Sequence, residues 1–169
     1  IDQRIMDEVI MPTVNGMKAE GNEYTGFLYA GLMIQADGTP KVIEYNCRFG
    51  DPETQPIMLR LKSSLVDMCQ AALDKKLNQT TAEWDERKSV GVVMAAGGYP
   101  GSYGKGDVIS FPETTPEGTK IFHAGTKLEG NDVVTAGGRV LCVTALGDTV
   151  TEAQKRAYEL LEQVSWEGA

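Results

Sequence analysis

One stretch constrains this chain more than any other. Thr25 to Gln35 and Lys41 to Cys47 read as two strands around the turn Ala36-Asp37-Gly38-Thr39-Pro40, with Asp-Gly at its centre. The hairpin runs directly into Arg48-Phe49-Gly50-Asp51-Pro52-Glu53-Thr54-Gln55. Alternate side chains of a strand share a face, so Glu44, Asn46 and Arg48 point one way and Ile43, Tyr45 and Cys47 the other. A carboxylate and an amide oxygen two residues apart suit a hard cation such as Mg²⁺. An arginine beyond them suits an anion, which it can hold bidentately. Metal and anion at one strand end suggest phosphoryl transfer.

A polar outer face on a half-exposed strand is the plainer explanation of Glu-x-Asn-x-Arg. Asp51, Glu53, Thr54 and Gln55 follow it within a few residues, with Gly50 and Pro52 fixing the backbone among them. The block sits between a hairpin and a helix, where loops often carry function. Those additions favour a site.

Helical spacing of Ile1, Ile5, Val9 and Ile10, continued by Val14 and Met17, predicts a helix that Pro12 kinks or restarts and Gly21-Asn22 ends. Pro56 suits a first turn. Ile57, Leu61, Leu65, Met68 or Cys69, and Ala72 predict one helix from there to Lys75. Asn78 to Lys88 is polar and reads as a connection between subdomains. Strands are predicted over Ser89–Ala96, Asp107–Ile109, Lys120–Ala124 and Gly138–Leu146. Thr149-Val150-Thr151-Glu152 is a capping box opening a last helix with Ala153, Ala157, Leu160, Leu161 and Val164 inside.

The glycines of Gly97–Gly106 fit a phosphate cradle or tight turns between strands about equally, and no P-loop lysine follows. Ala136-Gly137-Gly138-Arg139 could bind a sugar phosphate or make a plain hairpin turn. The single histidine, His123, reads as structural, and no hydrolase triad is visible. A net charge of −8 argues against general nucleic-acid binding but not against a local phosphate site. No apolar run approaches the roughly 20 residues of a membrane span. The three cysteines have no metal-type spacing and fit a reducing compartment, with Cys69 and Cys142 expected as small buried hydrophobes.

Tyr24-Thr25-Gly26-Phe27-Leu28-Tyr29-Ala30-Gly31, Glu44 to Gln55, Ser89 to Gly101, His123-Ala124-Gly125-Thr126 and Gly137 to Thr144 together resemble the phosphoribosylamine–glycine ligase family of the ATP-grasp superfamily. The block Asn46-Cys47-Arg48-Phe49-Gly50-Asp51-Pro52-Glu53 is the most specific part. The resemblance implies an α+β chain: the C-terminal part of an ATP-grasp domain over 1–82, then a small mixed α/β C-terminal domain over 83–169, incomplete at its end. It implies ATP, Mg²⁺ or Mn²⁺, glycine and 5-phosphoribosylamine as ligands of a cytoplasmic, monomeric enzyme, with no nucleic acid or membrane partner. On this resemblance Glu44 and Asn46 hold the metal, and Arg48 stabilises the γ-phosphate or acyl phosphate. Asp51 and Glu53 orient the reacting groups, and Gln55, Gly137, Gly138 and Arg139 bind substrate. Many superfamily members carry a second acid on the preceding strand; Thr25–Ile34 has none, and Gly31 stands near that place. An N-terminal portion of the enzyme is absent, so the chain alone is expected to be inactive. The alternatives are another ATP-grasp carboxylate–amine ligase or a non-catalytic binding module.

Overall fold

The computed structural model describes all residues 1–169. It divides into two compact units, Ile1–Gly50 with Ser64–Thr81, and Asp51–Ser63 with Ala82–Ala169. The mixture of helices and separate antiparallel sheets is the expected α+β class.

The first unit opens with α1 (Asp2–Ile5), a π-helical stretch (Met6–Ile10) and α2 (Met11–Ala19). The widened turn lies immediately before Pro12. An ordinary α-helix would press that ring on the Glu8 carbonyl, and the π-turn relieves the conflict without breaking the helix. Arg4 donates to the Asp37 carbonyl (3.3 Å) and to Thr39 Oγ1 (3.0 Å), and Thr13 Oγ1 meets the Tyr45 hydroxyl at 2.7 Å. The helix is thereby tied to the hairpin of β1 (Tyr29–Ile34) and β2 (Pro40–Asn46). β1 starts later than the predicted Thr25, because Gly26 has φ +149° and Tyr24 donates its hydroxyl hydrogen to the Phe27 carbonyl. The Phe27 ring meets Phe49 at 4.3 Å instead of joining the ladder.

The predicted single helix from Pro56 to Lys75 is two: α3 (Thr54–Arg60) and α4 (Leu65–Leu73). Leu61 turns extended (φ −71°, ψ 119°) and bridges Trp84. Lys62 N–H donates to the Glu83 carbonyl (2.9 Å), and Ser63 Oγ accepts from Glu83 N–H (2.7 Å). Ser64 then caps α4 by accepting from Asp67 N–H at 3.2 Å. Asn78–Lys88, expected as a bare connection, thus includes structured residues. Asp85 is buried, its carboxylate held by Arg87 at 2.7 and 2.9 Å, while its carbonyl accepts from Arg60 at 2.9 and 3.1 Å.

The second unit is built on a three-stranded antiparallel sheet in the order β3 (Lys88–Ala95), β7 (Arg139–Gly147), β4 (Thr119–His123). Val140 to Leu146 are all buried, because both faces of the central strand are covered. One face takes α5 (Val150–Leu161) through Ala153, Ala157 and Leu160, each fully buried. The other takes α3, whose Pro56 lies where a Cβ on Gly91 would stand 3.3 Å from it. The capping box forms, Thr149 Oγ1 accepting from Glu152 N–H (3.1 Å) while the Glu152 carboxylate accepts from Asp148 N–H (2.8 Å). A hairpin of β5 (Thr126–Glu129) and β6 (Asp132–Thr135), absent from the predicted elements, turns through Gly130 at φ +61°. No helix is long and apolar enough to cross a membrane. All three cysteines are free. Cys142 is buried as expected; Cys69 is exposed, because no residue of this chain covers that flank of α4.

Candidate functional site

Within the first unit the strand β2 carries Glu44 and Asn46 on one face, and Asn46 Nδ2 donates to Glu44 Oε1 at 3.1 Å. The ladder is bulged, with Gly31 opposite Glu44 and Leu32 opposite Val42, so Ile43 is the extra residue. The bulge precedes Glu44 and leaves the shared face of 44 and 46 intact. Glu44 lies over Gly31: a Cβ there would come within 3.0 Å of Glu44 Cγ. A side chain on Gly31 would therefore displace the glutamate stem. Arg48 lies beyond the end of β2, so strand alternation does not set its direction; its Nη1 donates to the Phe49 carbonyl at 2.9 Å. Cys47, on the face opposite Glu44 and Asn46 by strand period, is exposed and neighbours Tyr24. Desolvation, followed by hydrogen bonding with Cys47, raises the Tyr24 hydroxyl above its ordinary pKa.

The donor set of Glu44 and Asn46 is oxygen-rich and fits a small hard cation. Glu44 Oε2 and Asn46 Oδ1 are not used by the internal hydrogen bond. No group of three or more His, Cys, Asp and Glu side chains stands anywhere in the chain as a metal cage. Water or phosphate oxygens would have to complete the shell, a common arrangement for Mg²⁺.

Within the second unit, Asp51 receives Arg139 through two hydrogen bonds: Nη2 to Oδ2 at 2.8 Å and Nη1 to the main-chain carbonyl at 3.0 Å. The Asp51–Pro52 peptide is cis. Glu53 occupies the N-cap position of α3, and Gln55 lies in its first turn. Gln55 Oε1 is buried and accepts no hydrogen bond. An unsatisfied buried carbonyl oxygen is costly, and an N–H from a bound molecule would satisfy it.

Gly137 and Gly138 are places of close backbone approach. Gly137 N–H donates to the Gly125 carbonyl (3.1 Å), and Gly125 N–H to the Arg139 carbonyl (2.9 Å). The Tyr99 ring covers Gly138 so closely that a Cβ would fall 2.2 Å from Cδ2. Tyr99 in turn meets Tyr103 edge-on at 6.0 Å. The glycine-rich loop 97–106 follows the same logic, with Gly97 against the Gly168 carbonyl and Gly98 against that of Ser102. Its glycines serve tight turns and contact with neighbouring backbone. His123 stacks on Phe111 at 5.5 Å and pairs with Thr126 Oγ1 at 3.1 Å, a structural role. The link from Asp51 to Arg139 was missed in the sequence. It joins residues 88 apart, and no periodicity could signal it.

A family model described as the ATP-grasp (A) domain of phosphoribosylglycinamide synthetase matches residues 1–54, and one described as its C domain matches 89–169. A phosphoribosylamine–glycine ligase of Vibrio vulnificus is 68% identical over 169 residues, covering 99% of this chain and 39% of the relative. That of Escherichia coli is 66% identical with the same coverage. The crystal structure of the Thermotoga maritima phosphoribosylamine–glycine ligase superposes with a TM-score of 0.85 at 39% identity, over 98% of this chain and 40% of that one. The chain spans about two fifths of the length of these relatives. It belongs to the phosphoribosylamine–glycine ligase (phosphoribosylglycinamide synthetase) family and corresponds to the C-terminal part of its members.

Proposed function

We propose that a full-length protein carrying this segment joins glycine to 5-phosphoribosylamine at the expense of ATP, in purine synthesis in the cytoplasm. A glycine carboxylate oxygen attacks the γ-phosphorus, giving glycyl phosphate and ADP. The amine nitrogen of phosphoribosylamine then attacks the acyl carbon, phosphate leaves with the C–O electron pair, and the nitrogen loses a proton. The product is glycinamide ribonucleotide. Family membership supports this reading, and the single structural observation that carries it is the paired Glu44 and Asn46 at the end of β2. These two would hold a divalent cation, Mg²⁺ or Mn²⁺, whose charge offsets that of the transferring phosphoryl group. Arg48 supplies a further cation for charge that grows in the transition state. Asp51, Glu53 and Gln55 orient glycine or the attacking amine, and the orphan Gln55 Oε1 offers an acceptor for either nitrogen. The turn at Gly137-Gly138 serves the phosphoribosyl substrate. Residues 1–82 act as ATP-grasp structure and 83–169 as the C domain, while the rest of the same polypeptide supplies the nucleotide grip.

The test is Glu44→Ala in the full-length chain. Turnover falls by roughly 10²-fold or more, with weakened Mg²⁺-nucleotide binding in titration calorimetry. Unchanged Mg²⁺-nucleotide binding would sink the metal assignment. Glycine-dependent ADP release by the isolated 169-residue chain would show that the missing nucleotide grip is not needed.

A further inference from the structure

We propose that Arg139 is a positioning residue that acts through Asp51, holding the 51–55 loop in place, and does not bind the substrate phosphate directly. This deepens the ligase reading above and rests on it.

The guanidinium spends both terminal nitrogens on one residue, Nη2 on the Asp51 carboxylate (2.8 Å) and Nη1 on the Asp51 carbonyl (3.0 Å). One contact orients the side chain and the other fixes the backbone. A phosphate arriving at Arg139 would have to displace Asp51 or use what donors remain. The base of the clamp is rigid. Arg139 opens the buried strand β7, its carbonyl accepts from Gly125 N–H (2.9 Å), and the Gly138 carbonyl before it accepts from Ala96 N–H (2.8 Å). The far end is a loop: Asp51 begins a short polar turn of exposed and half-buried residues ahead of α3. The clamp therefore transmits order from the sheet to the loop that carries Asp51, Glu53 and Gln55.

Magnitude separates this role from a stabilising one. The two side chains are 39% and 55% exposed, and pairs so placed contribute little to global stability. What a bidentate guanidinium adds is geometry, which a lysine, a point charge, cannot reproduce. Misplacing reactive groups by an ångström costs rate far more than it costs folding.

The experiment uses the full-length enzyme with Arg139→Gln, Arg139→Lys, Asp51→Asn and the double variant Arg139→Gln/Asp51→Asn. Hydrogen exchange is followed in peptides over 51–55 and over β7. Arg139→Gln is expected to speed exchange at 51–55 by ~10-fold with β7 protection and Tm unchanged. kcat should fall ~10-fold in each single variant, KM for phosphoribosylamine should move less than ~3-fold, and the double variant should be no worse than the worse single. Arg139→Lys should recover only part of both losses. Unchanged exchange at 51–55, a KM rise with kcat preserved, or losses that multiply in the double variant would each overturn the proposal. If the wild-type enzyme shows no ligase activity, the functional reading fails. The exchange data alone then decide whether Arg139 holds the loop.

Discussion

The two units solve the problem of burial differently. Of the sixteen buried hydrophobic residues, only Val9 lies in the first unit; the other fifteen lie in the second. In the first unit Ile43 is 65% exposed, Met33 60%, Val66 76% and Leu73 79%. No residue of α4 is buried, and beside it an apolar groove of about 380 Å³ is lined by Phe27, Leu65, Met68, Cys69 and Leu73, among others. The second unit closes a strand between two helices and needs nothing more to make a core. The first presents amphipathic elements whose apolar faces lack a second layer within this chain. Contiguous apolar faces of this kind are surfaces that a further layer would cover. The unit that carries Glu44, Asn46 and Arg48 is therefore the one with the least stability of its own.

The largest effect that tests this contrast is Leu141→Ala. Leu141 is fully buried at the centre of the sheet, and its truncation should cost about 3 kcal/mol or more in urea unfolding. Both tryptophans, Trp84 and Trp166, belong to the second unit, so their fluorescence reports its transition. A loss below about 1 kcal/mol would mean that β7 is not the core it resembles. Thr149→Ala comes next. It removes the cap of α5 and should lower the same transition by about 1 kcal/mol, whereas Ser64→Ala, at the cap of α4, should leave it unmoved. A comparable shift from both caps would show the units unfolding as one.

A smaller effect is expected in acid. The Arg87 side chain above all, with its backbone N–H, holds the Asp85 carboxyl well below the usual carboxylate range. A depressed folded pKa contributes stability that is present above the unfolded value, about 4, and lost as pH falls through the folded one. Tm of the second unit should therefore fall more steeply below pH 4 in the wild type than in Asp85→Asn. Parallel acid limbs would remove Asp85 from the account.

Much of this architecture was legible because its signals are local. The Asp37-Gly38 turn, the apolar run of β7 and the Thr149–Glu152 box each specify structure within a few residues, and the structure contains all three. The common face of Glu44 and Asn46 followed from strand period alone. The break at Leu61–Ser64 did not follow, because a helical stripe continues through it. Pairing with Glu83 and Trp84 overrides that stripe, although Ser64-x-x-Asp67 was a local cap signal. Gly130-Asn131 is likewise a local turn signal for the hairpin of β5 and β6. Arg48 falls just past the strand, where period ceases to predict direction. The exposure of Cys69 shows a limit of another kind. Periodicity identifies an apolar face, but not whether the chain itself covers it.

That limit gives the smallest and most discriminating prediction. Leu73 sits in the last turn of α4 and is 79% exposed, so truncation removes little area from contact and leaves no cavity. Leu73→Ala should change the stability of the isolated chain by less than about 0.5 kcal/mol, against the several-fold larger cost at Leu141. Hydrogen exchange over 65–73 should be fast in both forms, since a nine-residue helix without a buried face is marginal in water. A cost above about 1 kcal/mol would mean that something covers the α4 face in solution. Dependence of that cost on protein concentration would identify the cover as a second copy of the chain. A concentration-independent cost would place the cover within the chain itself, and the contrast between a closed unit and a half-layered one would fall.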